Sequence, residues 1–487
     1  MSKLTLRSEH HFGIYGPIQE NVLFISDSRI VYPIGNHVAI YDLHLDTFSY
    51  CTAAHEIRSV HAISVNSTLE YMAIAERHNG NDKIKNGEED HRIGCSMISI
   101  YATNTLQRLK CIMHTTSANI ISLAFSFNSK ILVTLDDGKT TASINYWNWN
   151  AKKCVSSATS PPGGTRIRIS NADATFLTVS GHKHLKVWTL LKSELKMSTL
   201  VPLLREQENF VDHIWVSEHI VVISDHGSVH CFAPSSNATM GYELVHSITI
   251  KLSNQGRLET VVKFKRGFVV AGTVGHFSIF EPTDDPMEPF GIIRALDLTD
   301  VDFDAVSIAP DNDTVVGHTK AGYITSFSLG RVDIIQDGEV ETSMVFDTGS
   351  LLGVILSIDT CLQRPILVSC STDRCIRIWN YKTKKCELTH VMAEDLTAIA
   401  LHPSGYQLLA STKERIFVYN VLHDELRLFR ELVVKSCKEM EYANGGHYFA
   451  VAIGLAIHIY NSYTVRFFLH FFFLNYILFI ENLFFIV

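Results

Sequence analysis

The feature that most constrains this chain is a repeat of short β-type segments that each end in an aromatic residue. The ten aromatics are Tyr41, Tyr101, Trp147, Trp188, Phe232, Phe280, Phe327, Trp379, Tyr419 and Tyr460. Successive aromatics lie 40 to 60 residues apart. Most units also carry a strand of alternating apolar and polar residues, a polar turn and a second apolar strand, as in "LAFSFNSKILVTL" from Leu123. This pattern is typical of a β-hairpin. Since one small sheet buries too little alone, such repeats predict stacked blades of a β-propeller.

The eighth unit, "LVSCSTDRCIRIWNYKTKKC", resembles a WD repeat. Ser369 lies in its strand, Asp373 in its turn and Trp379 at the end of the next strand. The resemblance implies that these three side chains form the hydrogen-bond network that pins the turn to the strand, which makes Asp373 structural. Trp147 and Trp188 occupy the corresponding aromatic position in the third and fourth units.

The alternation of apolar and polar residues predicts an all-β, WD40-type chain. Residues 190–210 are one mild helical candidate, and a linker between units is the equal alternative there. Ten blades exceed the four to eight with which a propeller typically closes. We therefore predict a first propeller of seven blades over residues 1–338. Three blades of an incomplete second propeller follow over residues 339–464. The largest separation, 60 residues, is explained by a polar insertion at 76–92 that reads as a loop.

Composition argues against several classes of function. Charged residues make up 19% of the chain and the net charge is -8, so no basic field favours nucleic acid. The ten cysteines form no C-x-x-C pair, and the 24 histidines show no metal-ligand spacing. No P-loop, dinucleotide fingerprint or nucleophile elbow occurs. The N-terminus has no apolar signal region, so we expect a cytoplasmic protein. From the missing motifs and ligand spacings we expect a non-enzymatic protein without cofactor, metal or small-molecule substrate.

Longer stretches resemble one family. The segments "ALHPSGYQLLAST", "NVLHDELRLFREL" and "YANGGHYFAVAIGLAIHIYNSYT" are similar to the cilia- and flagella-associated WD-repeat proteins, over about residues 10–464. That family has tandem N-terminal propellers followed by a long coiled coil, which is missing here. The resemblance implies a scaffold of the ciliary or flagellar axoneme that docks or assembles inner dynein arms. The implied partners are inner-dynein-arm components, the regulatory complex and doublet microtubules.

Two other classes of scaffold remain as alternatives. A substrate receptor of a ubiquitin ligase would be expected to show Trp-Asp-x-Arg after a blade, whereas Asn380 follows Trp379. A membrane-associated trafficking scaffold would depend on the C-terminal tail, and we expect little membrane association because the uninterrupted apolar core of that tail, residues 467–480, is shorter than the roughly 20 residues needed to span a bilayer.

The tail at residues 465–487 differs in composition from the repeats. It contains eight of the 27 phenylalanines and no alanine, glycine, serine, threonine or proline, whereas spanning helices favour small residues for packing. We therefore expect a non-family segment, translated from a retained intron or a mispredicted gene end. Structurally, we expect it to add a short strand or helix against the last unit.

Overall fold

Ten four-stranded sheets make up the fold. The computed structural model describes residues 11–14, 18, 20–51, 57–78, 96–114, 118–138, 141–200, 208–234, 241–252, 256–298, 301–320, 322–330, 343–347 and 354–472. Within each sheet the four strands are consecutive in the chain and neighbours in chain order. The predicted all-β propeller class is confirmed.

Seven sheets belong to one compact unit, residues 14–346. Sheets 1 to 3 comprise β1 (Leu23–Phe24), β2 (Arg29–Ile34), β3 (His37–Asp42), β4 (Thr47–Tyr50), β5 (Ile57–Val65), β6 (Tyr71–His78), β7 (Ser96–Ala102), β8 (Arg108–Met113), β9 (Ile120–Phe125), β10 (Ile131–Asp136), β11 (Ala142–Asn148) and β12 (Lys153–Ser160). Sheets 4 and 5 comprise β13 (Gly164–Ile169), β14 (Phe176–Gly181), β15 (His184–Leu191), β16 (Glu194–Leu200), β17 (Phe210–Val216), β18 (His219–Ser224), β19 (Ser228–Pro234) and β20 (Tyr242–Thr249). Sheets 6 and 7 comprise β21 (Leu258–Phe264), β22 (Gly267–Gly272), β23 (His276–Pro282), β24 (Phe290–Asp297), β25 (Phe303–Ile308), β26 (Thr314–Thr319), β27 (Tyr323–Ser328) and β28 (Ser343–Asp347).

The other compact unit contains residues 1–13 and 347–487. Its sheets 8 to 10 comprise β29 (Ile355–Thr360), β30 (Ile366–Ser371), β31 (Cys375–Asn380), β32 (Lys385–Val391), β33 (Leu396–Leu401), β34 (Gln407–Thr412), β35 (Arg415–Val421), β36 (Leu426–Val433), β37 (Cys437–Tyr442), β38 (Tyr448–Ile453), β39 (Ala456–Asn461) and β40 (Phe467–Phe472). We call sheets 1 to 7 the ring and sheets 8 to 10 the stack.

The predicted hairpins form where the polar turn residues stand. In "FSFNSK" the chain turns between β9 and β10, with Ser129 at a φ of 57° and the Ser126 hydroxyl donating to Asn128 Oδ1 at 2.7 Å. In "HPSGYQ" the turn between β33 and β34 places Gly405 at a φ of 76°. A positive φ suits glycine because it has no Cβ.

Apolar side chains fill every gap between consecutive sheets of the ring. Separate buried clusters join sheets 1 and 2, 2 and 3, 3 and 4, 4 and 5, 5 and 6, and 6 and 7. A seventh cluster joins sheet 7 back to sheet 1, and includes Ile30 and Val316. The Phe24 amide also donates to Ser307 Oγ at 3.3 Å across that junction. The seven sheets therefore close on themselves.

The stack has only two such clusters among its described residues, between sheets 8 and 9 and between sheets 9 and 10. The N-terminal segment 11–13 belongs to this unit, and Phe12 packs on Trp379 of sheet 8 with ring centroids 4.9 Å apart. The predicted division into a first propeller over residues 1–338 and three further blades over residues 339–464 stays a prediction. The predicted boundary at 338 lies outside the described residues.

Three local predictions have clear outcomes. The helical candidate at 190–210 is wrong, because Glu194–Leu200 forms β16 and pairs with β15. The insertion predicted at 76–92 begins too early, since β6 continues to His78; residues 79–92 lie outside the description. The tail supplies the strand that we expected: β40 pairs with β39 and completes sheet 10.

Candidate functional site

The WD turn of sheet 8 brings the predicted serine and tryptophan together. Trp379 on β31 lies opposite Leu367 on β30, so Ser369, two residues along β30, lies on the same face. Trp379 Nε1 donates to Ser369 Oγ at 2.9 Å, and both side chains are buried. The bond gives a buried indole its hydrogen-bond partner and joins the two strands.

Asp373 lies in the same turn but makes a separate set of contacts. Ser371 Oγ donates to Asp373 Oδ1, as does the Cys375 amide at 2.9 Å, while Arg377 Nη2 donates to Oδ2 at 2.8 Å. Burial would raise the pKa of Asp373, but the hydrogen bonds from Arg377 and Ser371 outweigh it and hold the pKa below its usual range. Both carboxylate oxygens are occupied in holding the turn.

The two other predicted tryptophans differ from each other. Trp147 Nε1 donates to Thr134 Oγ1 at 3.3 Å, which repeats the arrangement of sheet 8. Trp188 Nε1 is buried without a partner among the described residues. Trp188 lies opposite Leu177, so the position that holds the hydroxyl in the other two sheets is Val179, which has none.

The ring contains a buried ionic cluster that sequence reasoning missed. Glu20, just before β1, forms two contacts with the guanidinium of Arg168 on β13, one of them at 3.0 Å. Arg166 Nη1 lies 3.4 Å from Glu20, and its Nε lies 3.5 Å from Asp212 on β17. Arg168 also donates to Asp212 at 3.4 Å. Sheets 1, 4 and 5 are thereby joined through residues up to 148 positions apart.

The charges of this cluster, which we call the ionic staple, balance one another. Burial would raise the pKa of Glu20, but Arg168 and Arg166 outweigh it and lower the pKa to about 2. Next to Asp212, His213 hydrogen-bonds Thr178 and Ser180, each at 2.7 Å. With every charge matched, the arrangement serves to hold sheets together. The signal available in the sequence was the segment "RIRIS", in which two arginines alternate with isoleucines on one strand.

The stack presents a cavity of 710 Å³ along sheet 10 and the first strands of sheets 8 and 9. Its apolar lining includes Ile457 and Ile459 on β39, which are only half-buried. At the equivalent positions of sheet 9, which sheet 10 covers, Ile416 and Val418 are fully buried. The face of sheet 10 that lines the cavity is therefore left uncovered by the described residues.

Carboxylates line one side of this cavity, which we call the acidic groove. Glu439 and Glu441 on β37 and Asp359 on β29 all line it. Glu439 and Glu441 occupy the register positions held in sheet 9 by Ala398 and Ala400. Burial raises the pKa of Glu441, and the neighbouring Asp359 and Glu439 raise it further. Comparing "LTAIAL" with "CKEMEY" would have revealed this difference from the sequence.

Two features of other site classes are absent from the part of the chain that the structure describes. No group of three or more histidine, cysteine, aspartate or glutamate side chains there could hold a metal ion. No helix there is long and apolar enough to cross a membrane.

The match to one family model agrees with the WD-repeat interpretation. The WD40 family pattern, described as WD domain, G-beta repeat, matches residues 345–380, which include most of the predicted WD turn. A chain in the crystal structure of a mitotic checkpoint complex is similar over 67% of this chain and 96% of its own, at 10% identity and a TM-score of 0.48.

The curated relatives are cilia- and flagella-associated proteins. Cilia- and flagella-associated protein 57 of Mus musculus is 23% identical over 96% of this chain and 40% of its own length. Cilia- and flagella-associated protein 57 A of Tetrahymena thermophila is 24% identical over 50% of this chain and 19% of its own. The chain thus spans less than half the length of these relatives. The predicted resemblance to cilia- and flagella-associated WD-repeat proteins is confirmed.

Proposed function

We propose that this chain is a non-catalytic WD-repeat scaffold of the ciliary or flagellar axoneme. The observation that carries the proposal is the similarity to cilia- and flagella-associated protein 57 along 96% of the chain, in a protein built of propeller-type sheets. The predicted localisation to a cilium or flagellum agrees with the names of the relatives.

The chemistry of the described residues supports a binding role over a catalytic one. The polar side chains of the WD turn and of the ionic staple are engaged with one another and stabilise the sheets. The acidic groove, by contrast, places Glu439 and Glu441 beside half-buried apolar side chains, outside both of these networks. A rigid set of sheets that presents such a surface suits a scaffold.

The finer part of the proposal is that the scaffold contributes to the docking or assembly of inner dynein arms on doublet microtubules. It is supported by the family resemblance of the repeat segments. The chain covers 40% of the mouse relative. The proposed role therefore concerns only that part, which consists of propeller-type sheets.

The test is to express the full tagged chain in cells with motile cilia that lack the endogenous relative. Isolated cilia are extracted with detergent, and the axonemal pellet is separated from the soluble fraction. We expect the chain in the pellet and a recovery of the inner-dynein-arm heavy chains in that pellet relative to untransfected mutant cells.

The control is the same tag on a soluble fluorescent protein, which should leave with the detergent fraction. Recovery of the chain solely in the soluble fraction would contradict the axonemal proposal. Recovery in the pellet without any change in inner-arm heavy chains would contradict only the dynein-arm part.

A further inference from the structure

The turns at one end of the stack expose aromatic and apolar side chains. In each antiparallel sheet the turn after the first strand and the turn after the third strand lie at the same end. A backbone hydrogen bond joins the two turns of every sheet, as from the Tyr381 amide to the Pro365 carbonyl at 3.0 Å. Five of these six turns expose a large side chain: Leu362, Tyr381, Tyr406, Leu422 and Tyr463.

The exposure of this end does not depend on how many sheets the stack has. Sheet 9 packs against sheet 8 through one buried cluster and against sheet 10 through another. Tyr406, in the first turn of sheet 9, is nevertheless 63% exposed. A neighbouring sheet covers the face of a sheet, whereas these turns lie at the ends of the strands.

Arg364 connects the turns of sheets 8 and 9. The carbon of its guanidinium lies 5.3 Å from the centroid of the Tyr406 ring, and Nη1 donates to the Gly405 carbonyl at 3.1 Å. A Cβ at Gly405 would lie 2.9 Å from Arg364 Cδ, so glycine leaves room for the arginine side chain. The guanidinium is thus held on an exposed ring, and its planar fork of donors matches the geometry of a carboxylate.

Two lysines stand beside this pair, in the second turn of sheet 8. Lys382 and Lys384 are exposed and follow exposed Tyr381. Neither lysine, nor Arg364, forms an ion pair with another described residue. The surface formed by these turns, which we call the cationic patch, consists of Leu362, Arg364, Tyr381, Lys382, Lys384 and Tyr406.

The structure of the turn does not require the lysines. Asn380 Oδ1 accepts hydrogen bonds from the backbone amides of residues 382 and 383. Sheet 10 repeats this turn on Asn461, whose Oδ1 accepts from the amides of residues 463 and 464. There Tyr463 and Val465 stand at the positions of the two lysines. The positive charge is therefore a property of sheet 8 and not of the turn.

Exposed cations at the opposite end of the stack have acidic partners. Arg374 Nε lies 2.8 Å from Asp395 Oδ1, and Lys413 Nζ lies 3.9 Å from Asp395 Oδ2. At the end that carries the cationic patch, Asp424 and its neighbour Glu425 lie in the second turn of sheet 9 and form no ion pair with the patch. Three unpaired cations therefore stand together in a chain of net charge -8.

We propose that the cationic patch binds an acidic segment of another protein, in which glutamate or aspartate stands next to apolar side chains. The carboxylates complement Arg364 and the lysines, and the apolar side chains contact Leu362 and Tyr406. A nucleic acid is a poorer match, because three cations on an acidic chain give no extended basic field. The proposal rests on the proposed scaffold function and names the chemistry of one partner.

Segments of this chain outside the described residues are the alternative occupants. Residues 1–10 carry Lys3 and Arg7 against Glu9, so their charge does not complement the patch. Residues 348–353 carry no charged side chain, and residues 473–487 carry one carboxylate. Residues 79–95 and 331–342 carry four carboxylates each. The experiment therefore includes variants of these two acidic segments.

The experiment measures the fluorescence anisotropy of labelled octapeptides on addition of the full chain. The main probe contains six glutamates and two leucines, and the comparison peptides carry glutamine in place of glutamate or serine in place of leucine. We expect binding of the main probe, weaker binding of the serine peptide and none of the glutamine peptide. Lys382→Gln/Lys384→Gln removes two charges and should lower the affinity for the main probe about tenfold.

A matched control variant, Lys413→Gln/Lys435→Gln, makes the same change of net charge at exposed turns at the opposite end of sheet 9. It should bind the main probe as the natural chain does. Equal loss in both variants would show that net charge alone drives binding and would overturn the proposal. Equally tight binding of single-stranded octathymidylate would overturn the selectivity for a protein segment, and equal binding of the serine peptide would overturn the apolar contribution.

The last comparison tests whether the chain covers its own patch. The four carboxylates of residues 79–95 or of residues 331–342 are changed to amides, and we expect binding of the main probe to stay unchanged. Binding that occurs only in one of these variants would show that the chain's own segment occupies the patch, which would overturn the proposal. Axonemal recovery of Lys382→Gln/Lys384→Gln in ciliated cells is scored separately, so the patch proposal can fail while the scaffold function stands.

Discussion

The ring and the stack are built from the same four-stranded sheet, yet they expose their sheets differently. In the ring seven buried clusters serve seven sheets, so every sheet is covered on both faces. In the stack two clusters serve three described sheets. The comparison teaches that burial of a repeat unit's apolar positions depends on a neighbouring sheet, because Ile416 is fully buried beneath sheet 10 whereas Ile457, at the equivalent position of sheet 10, is half-buried among the described residues.

The largest expected effect comes from breaking the ionic staple of the ring. Arg168→Ala removes the main partner of Glu20 and leaves carboxylates buried with too little positive charge, which costs about 3–5 kcal/mol. We expect the urea midpoint of the ring to fall while that of the stack stays unchanged. Four of the five tryptophans lie in the ring, so fluorescence in a Trp379→Phe background reports on the ring alone.

The control for this variant is Lys196→Ala, which breaks an exposed ion pair with Glu194 in the same ring. Its effect should stay below about 1 kcal/mol. Equal destabilisation by Arg168→Ala and Lys196→Ala would show that the staple does not hold the ring.

Covered and uncovered faces can be compared with a matched pair of isoleucines. Ile416 and Ile457 occupy equivalent register positions of sheets 9 and 10, but Ile416 is fully buried and Ile457 only half-buried. Ile416→Ala should cost about 2–5 kcal/mol, as in well-packed cores. Ile457→Ala should cost about 1 kcal/mol, because part of the side chain already contacts water.

Hydrogen exchange of peptides from β33 to β39 measures both variants in one experiment. If Ile457→Ala accelerated exchange as strongly as Ile416→Ala, then the face of sheet 10 would be covered in solution and the contrast between ring and stack would be lost.

A buried carboxyl of the ring makes its stability depend on pH. Burial raises the pKa of Glu76 to about 7, despite the hydrogen bond from Ser99. Because this folded-state pKa exceeds the ordinary value of 4.5, its contribution to stability is present below about pH 4.5 and is lost as the pH rises through 7. Glu76→Gln should therefore stabilise the ring at pH 8 by about 2–3 kcal/mol.

The measurement is the thermal midpoint of the natural chain and of Glu76→Gln at pH 5 and pH 8. A gain of the same size at both pH values would mean that the charge of Glu76 is not the cause. The stack, which does not contain this residue, should respond alike in both proteins.

The smallest expected effects concern the indole hydrogen bonds. Ser369→Ala in sheet 8 leaves Trp379 Nε1 without its acceptor and should cost about 1–3 kcal/mol. Val179→Thr in sheet 4 supplies the acceptor that Trp188 lacks and should gain up to about 1 kcal/mol. Thermal midpoints of both variants test the pair, and a loss of stability from Val179→Thr would show that sheet 4 has no room for the bond.

Much of the fold was predictable because its signals are local. The alternation of apolar and polar residues and the polar turn residues predicted the hairpins of sheets 3 and 9. The recurring aromatic residues predicted where the repeat units lie. The helical candidate at 190–210 failed because its residues 194–200 pair with β15 as the last strand of sheet 4, and tertiary context overrides propensity. The insertion at 76–92 began too early because Glu76 is a charged residue that is buried in β6.

The candidate sites were harder to predict because their members are distant in sequence. Glu20 and Arg168 meet only because sheets 1 and 4 belong to one closed ring. The acidic groove required knowing that Glu439 and Glu441 occupy positions that are covered in sheet 9 but uncovered in sheet 10.

By itself, the sequence determined the repeat unit, the all-β class, the WD-type tryptophans and the family resemblance, since strand period, turn residues and side-chain type act over a few neighbouring positions. Only the tertiary structure decided which faces are covered, which buried charges are matched and where Phe12 packs. Those properties depend on which sheets become neighbours, because the same pattern of side chains is a core between two sheets and a surface beside one.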